Sequence, residues 1–196
     1  MEIILIRHGK PTSAKNARLT AGGFAQWVRQ YNLANVADDS RPKECLAEDL
    51  SQYFVLASDF KRAIHSAKIF TKQAPDLVLT ELREMDIPRY KFPLHLKAWT
   101  WVYLNRLCWM LGLKGSFESY KEAKQRANLA TNRLLELVQH QEKLLVFGHG
   151  YMNFHIRKQL VKQGWQLNSK NSDYWGITLN DPHEKVLITS NMIEAP

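Results

Sequence analysis

Three short segments of this 196-residue chain hold residue types that do chemistry together. Arg7-His8-Gly9 joins a guanidinium to an imidazole, Ser58-Asp59-Phe60-Lys61-Arg62 adds a second guanidinium, and Gly148-His149-Gly150 sets a second imidazole between glycines. A neutral imidazole is a nucleophile or proton carrier near neutral pH. Guanidinium forks match the oxygens of an anion such as a phosphoryl group. Burying uncompensated cations costs on the order of several kcal/mol each, so such a cluster needs an anion to neutralise it. His8 is therefore a candidate nucleophile and Arg7 the group holding an anion beside it. The bland alternative is that His8-Gly9 merely closes a loop.

Something must deliver these segments to one place. Ile3 to Ile6 form an unbroken apolar run, the pattern of a strand buried on both faces in a parallel sheet. Tyr53–Ala57 and Leu144–Phe147 are similar runs, ending at Ser58 and Gly148. In a parallel sheet such ends share one edge, where open α/β sheets bind ligands. Between them the sequence predicts a helix over Ala21–Leu33 capped by Thr20, with Phe24, Trp27, Val28 and Tyr31 on its apolar side. Further helices are expected over Phe60–Gln73, capped by Ser58 or Asp59, Phe117–His140 and Tyr151–Lys162. A short helix at Cys45–Leu50, a strand at Leu77–Thr80 and a closing strand pair, Tyr174–Leu179 with Val186–Thr189, complete the reading.

The alternation predicts a three-layer α/β/α domain over residues 1–196 with a mostly parallel central sheet. A helical, Trp-rich insertion at about 86–116 interrupts it, with Trp99, Trp101, Tyr103, Leu104, Leu107, Trp109, Met110 and Leu111 crowded together. Such a helix is a core element, a lid over the site, or an element lying on a membrane surface.

Composition narrows the partners. At 45% hydrophobic and 23% charged, the chain can bury one sizeable core. A formal charge of +8 favours acidic partners. Cys45 and Cys108 form no paired motif, so a reducing cytoplasm is the expected compartment. No charged n-region or cleavage site precedes the first strand. Ala98–Leu113, broken by Asn105 and Arg106, is shorter than the ~20 residues a membrane span needs. The absence of GxxxxGK[ST], GxGxxG and HExxH argues against nucleotide hydrolysis, dinucleotide binding and zinc hydrolysis. Lys121, Lys124, Arg126 and Arg133, with Arg157, Lys158 and Lys162, suggest a nucleic-acid-binding module as a rival. Aromatic stacking platforms are not interleaved there, so solvated surface is the simpler reading and no nucleic acid is expected.

Leu5–Gly9, Ala57–Ala63 with Ser66-Ala67, Leu82-Arg83-Glu84 and Phe147–Gly150, in that order, resemble the motifs of the histidine phosphatase superfamily, the phosphoglycerate-mutase-like proteins. Leu19–Gly23 and Glu118-Ser119 extend the resemblance over nearly the whole chain. It implies a metal-independent phosphomonoester hydrolase that needs no cofactor and acts through a phosphohistidine. His8 would be the phosphorylated nucleophile, with Arg7, Arg62, His149 and the Gly150 N–H on the phosphoryl oxygens. Thr12 would be a further substrate-binding residue. Glu84 would protonate the leaving oxygen, with Glu81 and Asp86 as rivals. His65 and His155 could stand behind these groups. The partner would be a small phosphorylated substrate or a phosphoprotein. Lys10–Ala14 replaces the Asn and the Gly-rich, acidic segment of the mutases, which favours a phosphatase over a phosphomutase. Tyr151 takes the place of a small residue and would narrow the pocket.

Overall fold

Ile3 to Ile6 run through a six-stranded sheet, parallel to residues 144–147 on one side and antiparallel to residues 177–180 on the other. The structure, a computed structural model, describes residues 1–42 and 50–182. Its elements are β1 (Glu2–Arg7), β2 (Arg18–Leu19), α1 (Ala21–Leu33), β3 (Phe54–Ser58), α2 (Lys61–Thr71), β4 (Leu77–Leu79), β5 (Leu96–Lys97), α3 (Ala98–Met110), α4 (Tyr120–Gln141), β6 (Lys143–Gly148), α5 (Gly150–Lys162), β7 (Trp165–Lys170) and β8 (Ile177–Pro182). The sheet order is β4-β3-β6-β1-β8-β7, with the first four strands parallel. β2 and β5 form a separate two-stranded ladder.

Alternation along the central strands explains why helices cover both faces. Ile3, Leu5, Leu56, Leu144 and Val146 point toward α4 and α5, joining Ala127, Leu134, Met152 and Ile156 in one core. Ile4, Ile6, Val55, Ala57, Leu145 and Phe147 point the other way, toward Ala67 and Phe70 of α2. Side chains two residues apart share a sheet face, so an apolar run with no polar alternation must be covered twice.

Register matters more for function. Arg7 pairs with Gly148, so His8 and His149 leave the sheet side by side, and the His8 N–H donates to the Gly148 carbonyl at 3.0 Å. Ala57 pairs with Phe147, which brings Ser58 to the same edge.

A third core lies between α1 and α3. Phe24 stacks between Trp27 and Trp101 at 5.9 and 5.6 Å. Thr20 caps α1 as expected, accepting from the Gly23 N–H. Trp101 and Trp109 are fully buried, so these two belong to the core. Ser119 and Glu122 close a capping box at the start of α4.

Two local expectations need correction. Neither Ser58 nor Asp59 caps α2: Phe60 holds the cap position, and no side-chain cap is made among the described residues. Both polar side chains are used elsewhere. The closing strand pair is β7 with β8, and Asn180-Asp181-Pro182 lies within β8 opposite Leu167 to Trp165. Residues 171–176 make the reversal, with Trp175 at φ 65°. β7 reads Trp-Gln-Leu-Asn-Ser-Lys and is exposed after its first residue, so it lacks the apolar signal of a buried strand. Val186–Thr189, His183 and most of Cys45–Leu50 lie outside the described residues. No helix among the described residues is long and apolar enough to cross a membrane.

Candidate active site

His8 follows the last residue of β1, and its chemistry is set by two hydrogen bonds. Nδ1 lies 2.7 Å from the Gly9 carbonyl oxygen. A carbonyl only accepts, so Nδ1 carries the proton and Nε2 presents its lone pair. Arg62 Nε donates to that lone pair at 3.1 Å. Burial, reinforced by the charges of Arg62 and Arg7, holds the His8 pKa well below its ordinary value and keeps the ring neutral.

Gly9 makes this turn possible, since a Cβ there would meet Trp175 at 2.5 Å and Val36 at 2.7 Å. Ser66 Oγ accepts from the Gly9 N–H at 2.9 Å and donates to the Arg62 carbonyl at 2.6 Å, tying the turn to α2.

Around His8 the sheet edge gathers cations. Arg62 is fully buried between the rings of Phe60 and Tyr31, 4.7 and 4.9 Å from its guanidinium carbon. Its Nη1 donates to the Tyr31 and Asn32 carbonyls at 2.8 and 3.3 Å. Burial lowers its pKa, a measure of how poorly the site tolerates a lone cation. Arg7 lies over the Tyr174 ring at 4.3 Å and donates through Nη1 to the Ser172 carbonyl at 2.8 Å. The His149 ring is 5.0 Å from that of His8 and lies edge-on to Phe60.

Ser58 Oγ accepts from the Phe60 N–H at 3.3 Å and sits 2.9 Å from His149 Nε2. The Ser58 hydroxyl can donate to or accept from Nε2, so this contact holds the ring in place without fixing which nitrogen carries the hydrogen. Burial chiefly, then Arg62, lowers the His149 pKa well below the ordinary range. Gly150 opens α5 beside Arg7, where a Cβ would come within 3.2 Å of Arg7 Nε.

Three buried polar atoms here have no hydrogen-bond partner among the described residues: Arg7 Nε, Arg62 Nη2 and His149 Nδ1. Buried polar groups are almost always paired, so these three, gathered beside His8, set this edge of the sheet apart from the apolar core. Tyr174 is a residue that sequence reading missed. Its ring is 5.8 Å from that of His8, and burial raises its pKa. Topology brings it there: the Arg7 N–H donates to the Gly176 carbonyl, and the Trp175 N–H to the Arg7 carbonyl, both at 3.1 Å.

Glu84 is held by the start of α5. Its Oε1 accepts from the Met85 and Met152 N–H groups, both at 3.0 Å, and Oε2 accepts from Tyr151 N–H at 3.3 Å. Asp86 accepts from the Glu118 N–H and Glu81 from the Thr80 hydroxyl, so neither carboxylate shares this position. Asp59 is engaged by Arg83, whose Nε reaches both of its oxygens at 2.7 and 2.9 Å. Arg126 fastens the Glu84 loop, donating to the carbonyls of Glu81, Arg83 and Glu84 and to the Glu118 carboxylate. That use, and the burial of Arg157, remove both from the basic face suggested by sequence.

Arg106 beside Glu84 was also missed. It comes from α3, lies 4.2 Å over the Tyr151 ring, and places Nη2 3.9 Å from Glu84 Oε2. Its Nε is buried and unpartnered among the described residues. A single cation within a mostly apolar helix was the available signal. Tyr151 turns toward α3, donating its hydroxyl to Met110 Sδ at 3.3 Å.

Thr12 is exposed, and its N–H bonds the Asn35 carbonyl at 3.0 Å; no described contact ties it to His8. His65 lines a surface hollow with Asp38 and Arg41. His155 packs on Tyr151 at 4.9 Å and is pushed down to about 4, mainly by burial. Among the described residues no three metal-ligating side chains converge on one point.

Solved structures share this fold. A Mycobacterium tuberculosis open-reading-frame product is 17% identical with a TM-score of 0.62, covering 94% of this chain and 92% of that one. An alpha-ribazole phosphatase from Shigella flexneri is 24% identical with a TM-score of 0.50, covering 82% and 80%. A phosphoserine phosphatase mutant from Entamoeba histolytica, in complex with phosphoserine, is 15% identical with a TM-score of 0.50, covering 91% and 89%. A comparison with curated proteins gives no match. The sequence itself matches the family description over residues 3–181, and the chain belongs to the histidine phosphatase superfamily, branch 1.

Proposed function

We propose that the protein hydrolyses phosphomonoesters through a phosphohistidine at His8. The observation that carries this reading is a neutral, tautomerically fixed imidazole whose Nε2 holds its lone pair toward Arg62, at a sheet edge where Arg7 Nε, Arg62 Nη2 and His149 Nδ1 have no partner among the described residues.

In the first step His8 Nε2 attacks phosphorus in line with the ester oxygen. The N–P bond forms, the P–O bond breaks, and Glu84, protonated for this step, gives its proton to the leaving oxygen. Arg62 turns its Nε from His8 to the phosphoryl group as the substrate enters. Arg7, Arg62 and His149 then stabilise charge on the equatorial oxygens, work that demands positioned cations and no metal. In the second step water attacks phosphorus, Glu84 accepts its proton, and the N–P bond breaks with its electron pair returning to Nε2. A cavity of about 400 Å³ opens beside Phe60 and Glu84, lined also by Glu81, Arg83, Asp86, Glu118 and Arg126 and not by His8 or the cations around it, so it bears on the leaving-group side of a substrate and not on the phosphoryl group.

The test is to trap the intermediate. Wild-type protein mixed with a ³²P-labelled aryl phosphate and quenched in base should carry an acid-labile, base-stable label. His8→Ala, shown folded by circular dichroism, should carry none and hydrolyse p-nitrophenyl phosphate on the order of 10³-fold more slowly or worse. Undiminished hydrolysis by the variant overturns the nucleophile assignment.

A further inference from the structure

α3 is apolar on both of its sides. Its inner face buries Trp101, Val102 and Trp109. Its outer face carries Tyr103, Leu107, Met110 and Leu111, exposed by 73, 52, 42 and 73%, and Leu113 follows at 46%. The steps of four, three and one residues place the first four on a single stripe. Five of the twelve exposed large apolar side chains among the described residues thus fall between positions 103 and 113, while the others are scattered. Scattered exposed apolar residues are ordinary, whereas a contiguous patch marks an interaction surface. Arg106, the one charged residue of the helix, turns aside to Tyr151 and Glu84, leaving the stripe uncharged.

Charge is supplied at its end. A hollow of about 600 Å³ between the end of α3 and the start of α4 has Trp109, Met110 and Leu113 in its walls and Lys114, Lys121 and Lys124 around it. All three lysines are exposed. The carboxylate of Glu122 in the same lining is closed on Ser119 within the capping box.

We propose that this face docks on an anionic lipid bilayer. The apolar stripe enters the boundary between headgroups and acyl chains, and the lysines meet the lipid phosphates. Charge complementarity selects this occupant. Lys114, Lys121 and Lys124 beside the stripe want phosphate groups, which a bilayer of anionic lipid supplies next to its apolar interior. An anionic surface takes both the apolar and the cationic parts, and the net charge of +8 draws the whole molecule toward it. At 13 residues α3 cannot cross the bilayer, so it lies on it. The inference is independent of the chemistry at His8.

Co-sedimentation tests it with vesicles of pure phosphatidylcholine and of phosphatidylcholine with 30 mol% phosphatidylglycerol. Wild type should bind the anionic vesicles only, and less so as salt rises. Leu107→Asp/Leu111→Asp should weaken binding roughly tenfold or more, since it puts two charges into the stripe. Lys114→Glu/Lys121→Glu should do the same. His8→Ala should bind as wild type does. Absence of wild-type binding to the anionic vesicles overturns the proposal. So does undiminished binding by Leu107→Asp/Leu111→Asp, which would reduce it to general charge attraction. A concentration-dependent dimer in analytical ultracentrifugation, abolished by that same double variant, would assign the face to self-association instead.

Discussion

The aromatic layer between α1 and α3 and the edge of the sheet around His8 are both buried, and both hold N–H donors. They treat those donors in opposite ways. In the aromatic layer Trp27 donates to the Lys15 carbonyl at 2.9 Å and Trp101 to the Leu19 carbonyl at 2.8 Å; at its margin Trp109 reaches the Glu118 carbonyl at 2.7 Å. At the sheet edge Arg7 Nε, Arg62 Nη2 and His149 Nδ1 meet no partner among the described residues. The first region is finished as it folds. The second carries an unmet demand for negative charge, and that demand, more than residue type, separates a site from a core.

The contrast can be broken by substitution. The largest effect is expected for Arg62→Met, with hydrolysis of an aryl phosphate falling on the order of 10³-fold while the unfolding free energy shifts by about 1 kcal/mol or less, because a buried cation is exchanged for an apolar side chain. Trp101→Ala should do the reverse: about 3–5 kcal/mol lost in denaturant unfolding, with the turnover of each folded molecule retained. If both variants lose stability alike, Arg62 is a structural residue and the distinction fails.

Glu84 sits where the two regions meet, between the start of α5 and Arg106 of α3. For Glu84→Gln we expect roughly 10²-fold slower hydrolysis of an alkyl phosphate and little change with nitrophenyl phosphate, whose leaving group needs no proton. An equal loss with both would move the acid role to Glu81 or Asp86.

The smallest effect is one of pH on stability. His8 and His149 stay neutral in the fold, while the unfolded chain protonates them near pH 6.5. Stability is therefore level above about pH 7 and falls as pH drops through 6.5, by up to about 1.4 kcal/mol per pH unit for each ring. The melting midpoint should decline more gently in His149→Asn than in wild type between pH 7 and 5. Equal slopes would show that this ring charges freely in the folded protein.

Much of this was legible before any coordinates. Buried parallel strands announce themselves as apolar runs, and the residues that end them, Arg7, His8, Ser58 and His149, stand beside them in the sequence. Arg62 followed from its place just beyond a strand end. Tyr174 did not, because it reaches His8 through the pairing of a loop with β1, and no local pattern records such a meeting. Arg106 was hidden for a related reason: in an apolar helix it read as an interruption, and only the packing of α3 against Tyr151 gives it a direction. The polar edge strand β7 escaped because exposure removes the alternation by which strands are recognised. The caps of α2 were misassigned since Ser58 and Asp59 suit capping equally well, and tertiary partners claimed them first.

The place of β1 in the sheet also bears on how the chain comes together. Ile3 neighbours Leu144 on one side and Asn180 on the other, so β1 meets both of its companions only through contacts between segments far apart in sequence. Until then the segment Ile3 to Ile6 is an uncovered, adhesive strand, and assembly is slowed by closures spanning most of the chain's length. Closing β1 into the sheet is thus a long-range event set by the sheet order itself.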